Sequence, residues 1–154
     1  MVSVAVTLDQ DRARAVAARV VDPEIPVLSI AELGILRDVR LEGHRVIATI
    51  TPTYSGCPAM RQIEDDLRAT LRAAGFDDVE VVTEHEPPWS SDWITPDGLT
   101  KLAGFGIAPP GTEILCPRCQ SGSPRVVSRF GSTACKALMA CRSCGEPFDH
   151  FKDF

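Results

Sequence analysis

Four cysteines limit what this chain can fold into more than any other feature. Cys116-Pro117-Arg118-Cys119 is followed, after 21 residues, by Cys141-Arg142-Ser143-Cys144-Gly145. The pattern C-x2-C-x21-C-x2-C is close to that of a zinc ribbon. Each Cys-x-x-Cys makes a tight turn whose two sulfurs aim at one ion, and two such turns complete a tetrahedron. Gly145 lets the second turn bend back, so that backbone N–H groups can bond the thiolates. A segment of about 40 residues with few large apolar side chains can hardly build its own core, so metal binding drives its folding. The metal expected at Cys116, Cys119, Cys141 and Cys144 is structural zinc, with iron or a cluster as the alternative. Four thiolates leave no open coordination position, which argues against a catalytic zinc. Cys135 is an extra thiol nearby, either packed in a strand or a spare ligand. His150 has no spacing that suggests ligation.

The rest of the chain reads as a soluble globular protein. Hydrophobic residues make up 44 % and charged residues 24 % of 154, ordinary values for a folded domain. The net charge of −5 argues against a non-specific binder of nucleic acid or of an anionic membrane. No apolar run approaches the roughly 20 residues that cross a bilayer. Met1 to Gln10 lacks a basic start followed by an apolar core, so no secretory signal is expected and the protein is expected in the cytoplasm. There, six cysteines point to metal or redox work rather than disulfides. Residues 1–112 carry 10 Lys/Arg and 17 Asp/Glu, a net of −7, whereas residues 113–154 carry 6 and 4, a net of +2. Ala108-Pro109-Pro110-Gly111 is a stiff connector at that boundary. The expected organisation is an α+β domain over 1–84, a Pro/Trp-rich arm with a short helix over 85–111, and the ribbon over 112–154.

Within the first segment, Thr7 and Gln10 suit a capping box, and Ala13, Val16, Ala17 and Val20 form one apolar helical face. Asp22-Pro23 ends that helix. Ser29 and Glu32 cap a single helical turn stopped at Gly34. Ile35–Leu41 and Arg45–Thr51 read as a hairpin around Glu42-Gly43-His44, with Val46, Ala48 and Ile50 on one face. A helix after Cys57-Pro58 buries Ile63, Leu67 and Leu71 and is closed by Gly75, with Phe76 in contact behind it. Val79–Thr83 is a third strand. This order predicts a small three-stranded mixed sheet with packed helices. In the arm, Thr95-Pro96 starts a short helix ended by Gly104. Trp89 and Trp93 are read as anchors pinning the arm to the first domain, with partner binding as the other reading.

The stretch Thr51-Pro52-Thr53-Tyr54-Ser55-Gly56-Cys57-Pro58-Ala59-Met60 joins the second strand to that helix. Cys57 stands at the helix start, where unpaired N–H groups and the dipole are expected to lower its pKa. Thr53, Tyr54 and Ser55 could add hydroxyl donors. Such a thiol is a nucleophile, a metal ligand or a redox group, or else a small buried hydrophobe. No second cysteine lies at Cys-x-x-Cys distance, and neither His44 nor His85 is placed as a general base. Asp22 and Glu24, in Asp22-Pro23-Glu24-Ile25-Pro26-Val27, read equally as an acid/base pair or as turn chemistry. No Glu with Glu-x-x-His pattern of a di-iron site is present, nor a G-x-G-x-x-G loop, and no catalytic residue is assigned.

Taken together, Asp22-Pro23-Glu24-Ile25-Pro26-Val27-Leu28-Ser29-Ile30, Glu32-Leu33-Gly34-Ile35 and Thr51–Pro58 resemble the metal–sulfur cluster assembly (SufT-like) family over about residues 8–84. Over nearly the whole chain, Pro87-Pro88-Trp89, Asp92–Pro96, Gly106–Pro110, the ribbon, Ser132–Leu138 and Glu146–Asp149 are similar to the phenylacetate-degradation protein D family. Such proteins accompany the phenylacetyl-CoA ring 1,2-epoxidase, a multicomponent di-iron monooxygenase with an iron–sulfur reductase. The resemblance implies an assembly or maturation factor for cluster or iron centres in aerobic phenylacetate degradation; the alternative is a subunit of the epoxidase itself. It implies Cys57 as the cluster- or iron-handling thiol with Asp22 and Glu24 beside it, and a transient iron or iron–sulfur cluster as cargo. The reductase or oxygenase components are the expected partners, together with a homodimer; nucleic acid and membrane are not. One departure stands out. Gln120 follows the first knuckle where many zinc knuckles carry glycine, which is expected to weaken N–H···S bonding there.

Overall fold

The computed structural model describes residues 4–111 and 113–154, with side chains of the first helix from residue 9 onward. The chain forms two compact units, Met1–Trp89 and Ser90–Phe154.

The first unit opens with α1 (Val4–Ala17). Thr7 therefore lies inside the helix rather than at its cap, and its side chain is outside the described residues. Gln10 instead accepts the Leu41 N–H at its Oε1 (3.1 Å). The apolar face is as expected: Ala13, Val16, Ala17 and Val20 are all buried. The helix stops before Asp22-Pro23, because Arg19 and Val20 donate to the carbonyls three residues back (3.2 Å each), a tightened last turn.

Three strands follow, β1 (Leu36–Glu42), β2 (Arg45–Ile50) and β3 (Asp78–Thr83), in sheet order β1-β2-β3. β2 pairs antiparallel with β1 and parallel with β3. The parallel pair is bridged by α2 (Ala59–Ala73), the crossover that parallel strands require. Sequence alternation places Val46, Ala48 and Ile50 on one buried face, but Ile47 and Thr49 are also only 4 % exposed. The central strand is covered on both sides. On α2, Ile63, Leu67 and Leu71 are 0 % exposed, each contributing about 2 kcal/mol through burial. The helix ends as its sequence dictates: Gly75 takes φ 99°, and Phe76 N donates to Leu71 O (3.0 Å), a Schellman closure.

The second unit contains a 3-10 turn (Ser91–Trp93) and α3 (Pro96–Gly104), capped by Thr95 Oγ1 accepting from Gly98 N at 3.0 Å. Its sheet comprises β4 (Ile107–Ala108), β5 (Arg125–Ser128), β6 (Lys136–Ala140) and β7 (Pro147–Phe151), in order β4-β7-β6-β5. β4 runs parallel to β7, and the other neighbours are antiparallel. A small core unites Ala108, Cys116, Met139, Cys141 and Phe148, with Ile114 against it. Trp89 is buried in the first unit and donates its indole N–H to Leu33 O (3.0 Å). Trp93 belongs to the second unit and is half-buried. Among the described residues, no helix is long and apolar enough to cross a membrane.

Candidate metal centre and thiol site

The cysteine knuckles are built by two short turns of matching geometry. In the first, Gln120 N donates to Cys116 O (2.8 Å) and Cys116 N to Ser121 O (2.9 Å). In the second, Gly145 N donates to Cys141 O (3.1 Å) and Cys141 N to Glu146 O (2.9 Å). Both turns need a left-handed residue after the second cysteine, and Gln120 (φ 65°) and Gly145 (φ 78°) supply it. Gln120 thus adopts the conformation glycine would take, at a cost of about 1 kcal/mol, and the first knuckle closes. Cys119 N points at Cys116 Sγ (3.5 Å), while Ser143 N and Cys144 N point at Cys141 Sγ (3.3 and 3.4 Å). The leading cysteine of the first knuckle thus receives one N–H and that of the second receives two.

The four sulfurs of Cys116, Cys119, Cys141 and Cys144 lie within 4.8 Å of one another. Two cross-knuckle separations are 3.7 Å (Cys116–Cys144) and 3.5 Å (Cys119–Cys141). Zinc–sulfur bonds of about 2.3 Å in a tetrahedron put sulfurs about 3.8 Å apart, so the donor set fits zinc in type, number and spacing. As free thiols the group is frustrated. The Ser121 hydroxyl and N–H hold Cys119 down to about 6. The Glu146 N–H favours the Cys144 thiolate, but burial and the three neighbouring sulfurs outweigh it and push Cys144 up to about 12. A divalent cation relieves this crowding of like charges. Cys135 is buried against Thr133 Oγ1 (3.0 Å) and is not part of the four-sulfur group. His150 is buried with Nδ1 3.1 Å from Ala108 O, and burial lowers its pKa.

The second site lies in the first unit. β2 ends at Ile50, and Thr51 N still donates to Ile35 O (2.9 Å). The chain turns through Tyr54–Cys57, with Cys57 N donating to Tyr54 O (3.3 Å), and α2 begins two residues later behind Pro58. Cys57 is half-buried. Its pKa is raised, not lowered: burial is the largest influence, opposing the Ala59 N–H and the Tyr54 hydroxyl that favour the thiolate. The helix-start argument fails on magnitude, because one aligned N–H and one hydroxyl do not offset desolvation of half the side chain. Of the three hydroxyl candidates, Tyr54 is the one that reaches the sulfur.

Glu24 and Asp22 also raise the Cys57 pKa through their charge, so the fold brings both carboxylates into the field of the thiol. Asp22 is 5 % exposed. Its Oδ1 accepts from Glu24 N (2.8 Å) and Ile25 N (2.9 Å), which closes the Asp-Pro-Glu turn. Asp22 N donates to Leu28 O (2.9 Å), and Ile25, Leu28 and Ile30 are at most 1 % exposed. The reciprocal Ser29–Glu32 cap forms (Glu32 N to Ser29 Oγ 3.1 Å, Ser29 N to Glu32 Oε2 3.4 Å). Among the described residues, the ribbon cysteines are the one group of three or more potential ligands converging to metal-binding distance. Cys57, Asp22 and Glu24 are neighbours that do not converge on one point.

Comparison with known proteins covers both units. Residues 10–83 match the family model "Iron-sulfur cluster assembly protein". Residues 108–152 match the "PaaD zinc beta ribbon domain". A crystal structure of a domain of unknown function, DUF59, from Bacillus anthracis is 27 % identical with a TM-score of 0.59, covering 64 % of this chain and 94 % of that one. An Escherichia coli (strain K12) protein, named as a subunit of 1,2-phenylacetyl-CoA epoxidase, is 45 % identical over 147 residues, 90 % of this chain and 89 % of that protein. An assembly-type α+β unit, a four-cysteine ribbon and this near full-length relative converge on one conclusion: the chain belongs to the PaaD family of phenylacetyl-CoA epoxidase proteins.

Proposed function

We propose that the chain is an assembly or maturation factor that handles iron or an iron–sulfur cluster for a phenylacetyl-CoA epoxidase system. Cys57 is the cargo-handling thiol, and Asp22 and Glu24 stand beside it. The observation that carries this reading is the incompleteness of the site. Cys57 is half-buried, the first unit has no second cysteine, and two carboxylates lie in its field without converging on a common point. One thiol with loose acidic neighbours suits brief custody, completed by ligands from a client or a second copy. A resident cofactor would need a closed ligand set. The ribbon, with its four converging sulfurs, is the structural element and holds zinc.

The test is metal and acid-labile sulfide analysis of anaerobically purified protein, wild type against Cys57→Ala. About one zinc per chain is expected in both, from the four-ligand ribbon, with iron in the wild type alone. Cluster content of the reductase and iron content of the oxygenase, each matured with either form, complete the experiment. Unchanged client loading with Cys57→Ala overturns the proposal. The name of the E. coli relative favours a second reading, a subunit of the epoxidase itself. Turnover by components that are already fully matured, with and without this chain, separates the two: an absolute requirement supports the second reading.

A further inference from the structure

One outer strand of the ribbon sheet is not finished like the edges of the first sheet. β5 pairs on one side only, with β6. Sheet edges in soluble proteins are usually blunted by charge or covered. β1 follows that rule, with Arg37, Asp38, Arg40 and Glu42 along it and the Arg14–Asp38, Arg40–Asp38 and Arg40–Glu42 pairs upon it. β3 carries Asp78 and Glu80, both paired with Arg45. β5 instead presents Val126 and Val127, 57 % and 48 % exposed, and the chain runs on to Phe130 at 67 %. A register shift between Val126 and Ser128 bulges the strand at Val127, which discourages flat edge-to-edge stacking and leaves the side chains on display.

Phe130 is held in place although it is exposed. Ser128 Oγ donates to Phe130 O (2.8 Å) and accepts from Phe130 N (3.2 Å). Lys152 Nζ sits 4.2 Å from the ring centroid, within cation–π range, and donates to Ala134 O (2.9 Å). An aromatic side chain fixed at both backbone and ring while facing solvent has the character of a binding anchor. The anchor is framed by cations. Arg125 and Arg129 are exposed and, among the described residues, form no ion pair.

We propose that the β5 edge from Arg125 to Phe130 is a docking surface for an acidic protein segment that also carries apolar side chains. Apolar residues of that segment cover Val126, Val127 and Phe130, and its carboxylates meet Arg125 and Arg129. Charge favours a protein segment over nucleic acid. The formal +2 of residues 113–154 is cancelled once four thiolates meet a divalent ion, and the chain as a whole carries −5. What remains is Arg125, Arg129 and Lys152 beside apolar side chains, too little to draw a polyanion.

The experiment uses the full zinc-loaded chain, isotopically labelled, and two synthetic peptides as probes: an alternating Glu/Val octamer and its Lys/Val counterpart. The expected result is amide shift changes confined to residues 125–130 and their β6 neighbours with the Glu/Val peptide, and none with the Lys/Val peptide. Arg125→Glu with Arg129→Glu should weaken binding at least tenfold, as should Phe130→Ser, while Arg61→Glu with Arg72→Glu, the same charge change elsewhere, should not. Tighter binding at low ionic strength is part of the expectation. No shift at millimolar Glu/Val peptide, or equal binding of both peptides, overturns the proposal. It is likewise overturned if a single-stranded oligonucleotide shifts the same amides more strongly than the Glu/Val peptide. Self-association abolished by Arg125→Glu would reassign the edge to a second copy of this chain.

Discussion

At the scale of single residues, the proposed function rests on the thiol of Cys57. Its raised pKa means that it carries its proton at neutral pH, so taking up iron or a cluster must release that proton. Loading should therefore strengthen as pH rises toward the thiol's own pKa and weaken below neutrality. Alkylation by iodoacetamide, followed peptide by peptide in a mass spectrometer, reads the same quantity without metal. The midpoint for Cys57 should lie above the ordinary 9.0. Glu24→Gln, which removes an opposing charge, should lower it, and Tyr54→Phe, which removes a donor to the thiolate, should raise it. A midpoint below 9 in the wild type would restore the helix-start thiolate expected from sequence. The position of Cys57 at a strand–helix corner was legible, because a strand pattern, Pro52 and an amphipathic helix bracket it. Its protonation was not, because desolvation depends on what folds over the sulfur, and Asp22 and Glu24 are distant in sequence.

At the scale of elements, the Asp-Pro-Glu loop gives Asp22 a structural role that can be separated from the functional one proposed for it. Asp22 Oδ1 ties down two backbone N–H groups, those of Glu24 and Ile25, in an almost fully buried position. Removing the acceptor leaves those groups without it, which costs about 1–3 kcal/mol. Asp22→Ala should thus destabilise the first unit by about that amount in urea unfolding. Asp22→Asn keeps an acceptor oxygen on the same turn and should cost well under half as much. If Asp22→Asn folds normally yet loses iron loading, the carboxylate charge acts at the thiol site; if loading survives, Asp22 is a turn residue alone. The elements most legible in the sequence were those with local signals: the α2 stripe, the Gly75 closure, the Ser29–Glu32 cap and the Thr95 cap. β4 was hidden, since Ile107–Ala108 is a strand only through its pairing with Asp149 and His150 on β7. The double-sided burial of β2 was hidden for the same reason. Alternation reports one buried face and says nothing about what covers the other.

At the scale of the whole molecule, a zinc-bound ribbon would make the two units rest on different sources of stability. The first unit buries Ile25, Leu28, Ile30, Leu33, Ile35, Ile50, Ile63, Leu67 and Leu71 at 1 % exposure or less, a core of large apolar side chains. In the ribbon, one small buried cluster of Ala108, Cys116, Met139, Cys141 and Phe148 includes two members of the four-sulfur group, Cys116 and Cys141. The proposed structural zinc would contribute roughly 10–16 kcal/mol of apparent binding free energy at neutral pH, at least as much as the whole net stability of a small domain, about 5–15 kcal/mol. Removing the metal should therefore unfold one unit and spare the other. In the full chain treated with a strong zinc chelator at pH 7.5, amide hydrogen exchange should accelerate through β5, β6 and β7. Protection in β1, β2, β3 and α2 should stay as it was. Cys116→Ser should reproduce that pattern without chelator, because Cys116 is both fully buried and a member of the sulfur group, whereas Cys135→Ser, outside that group, should leave metal content unchanged. Protection of β6 and β7 that survives chelation would show that burial alone holds the ribbon, and the metal would then have to be assigned a role other than structural.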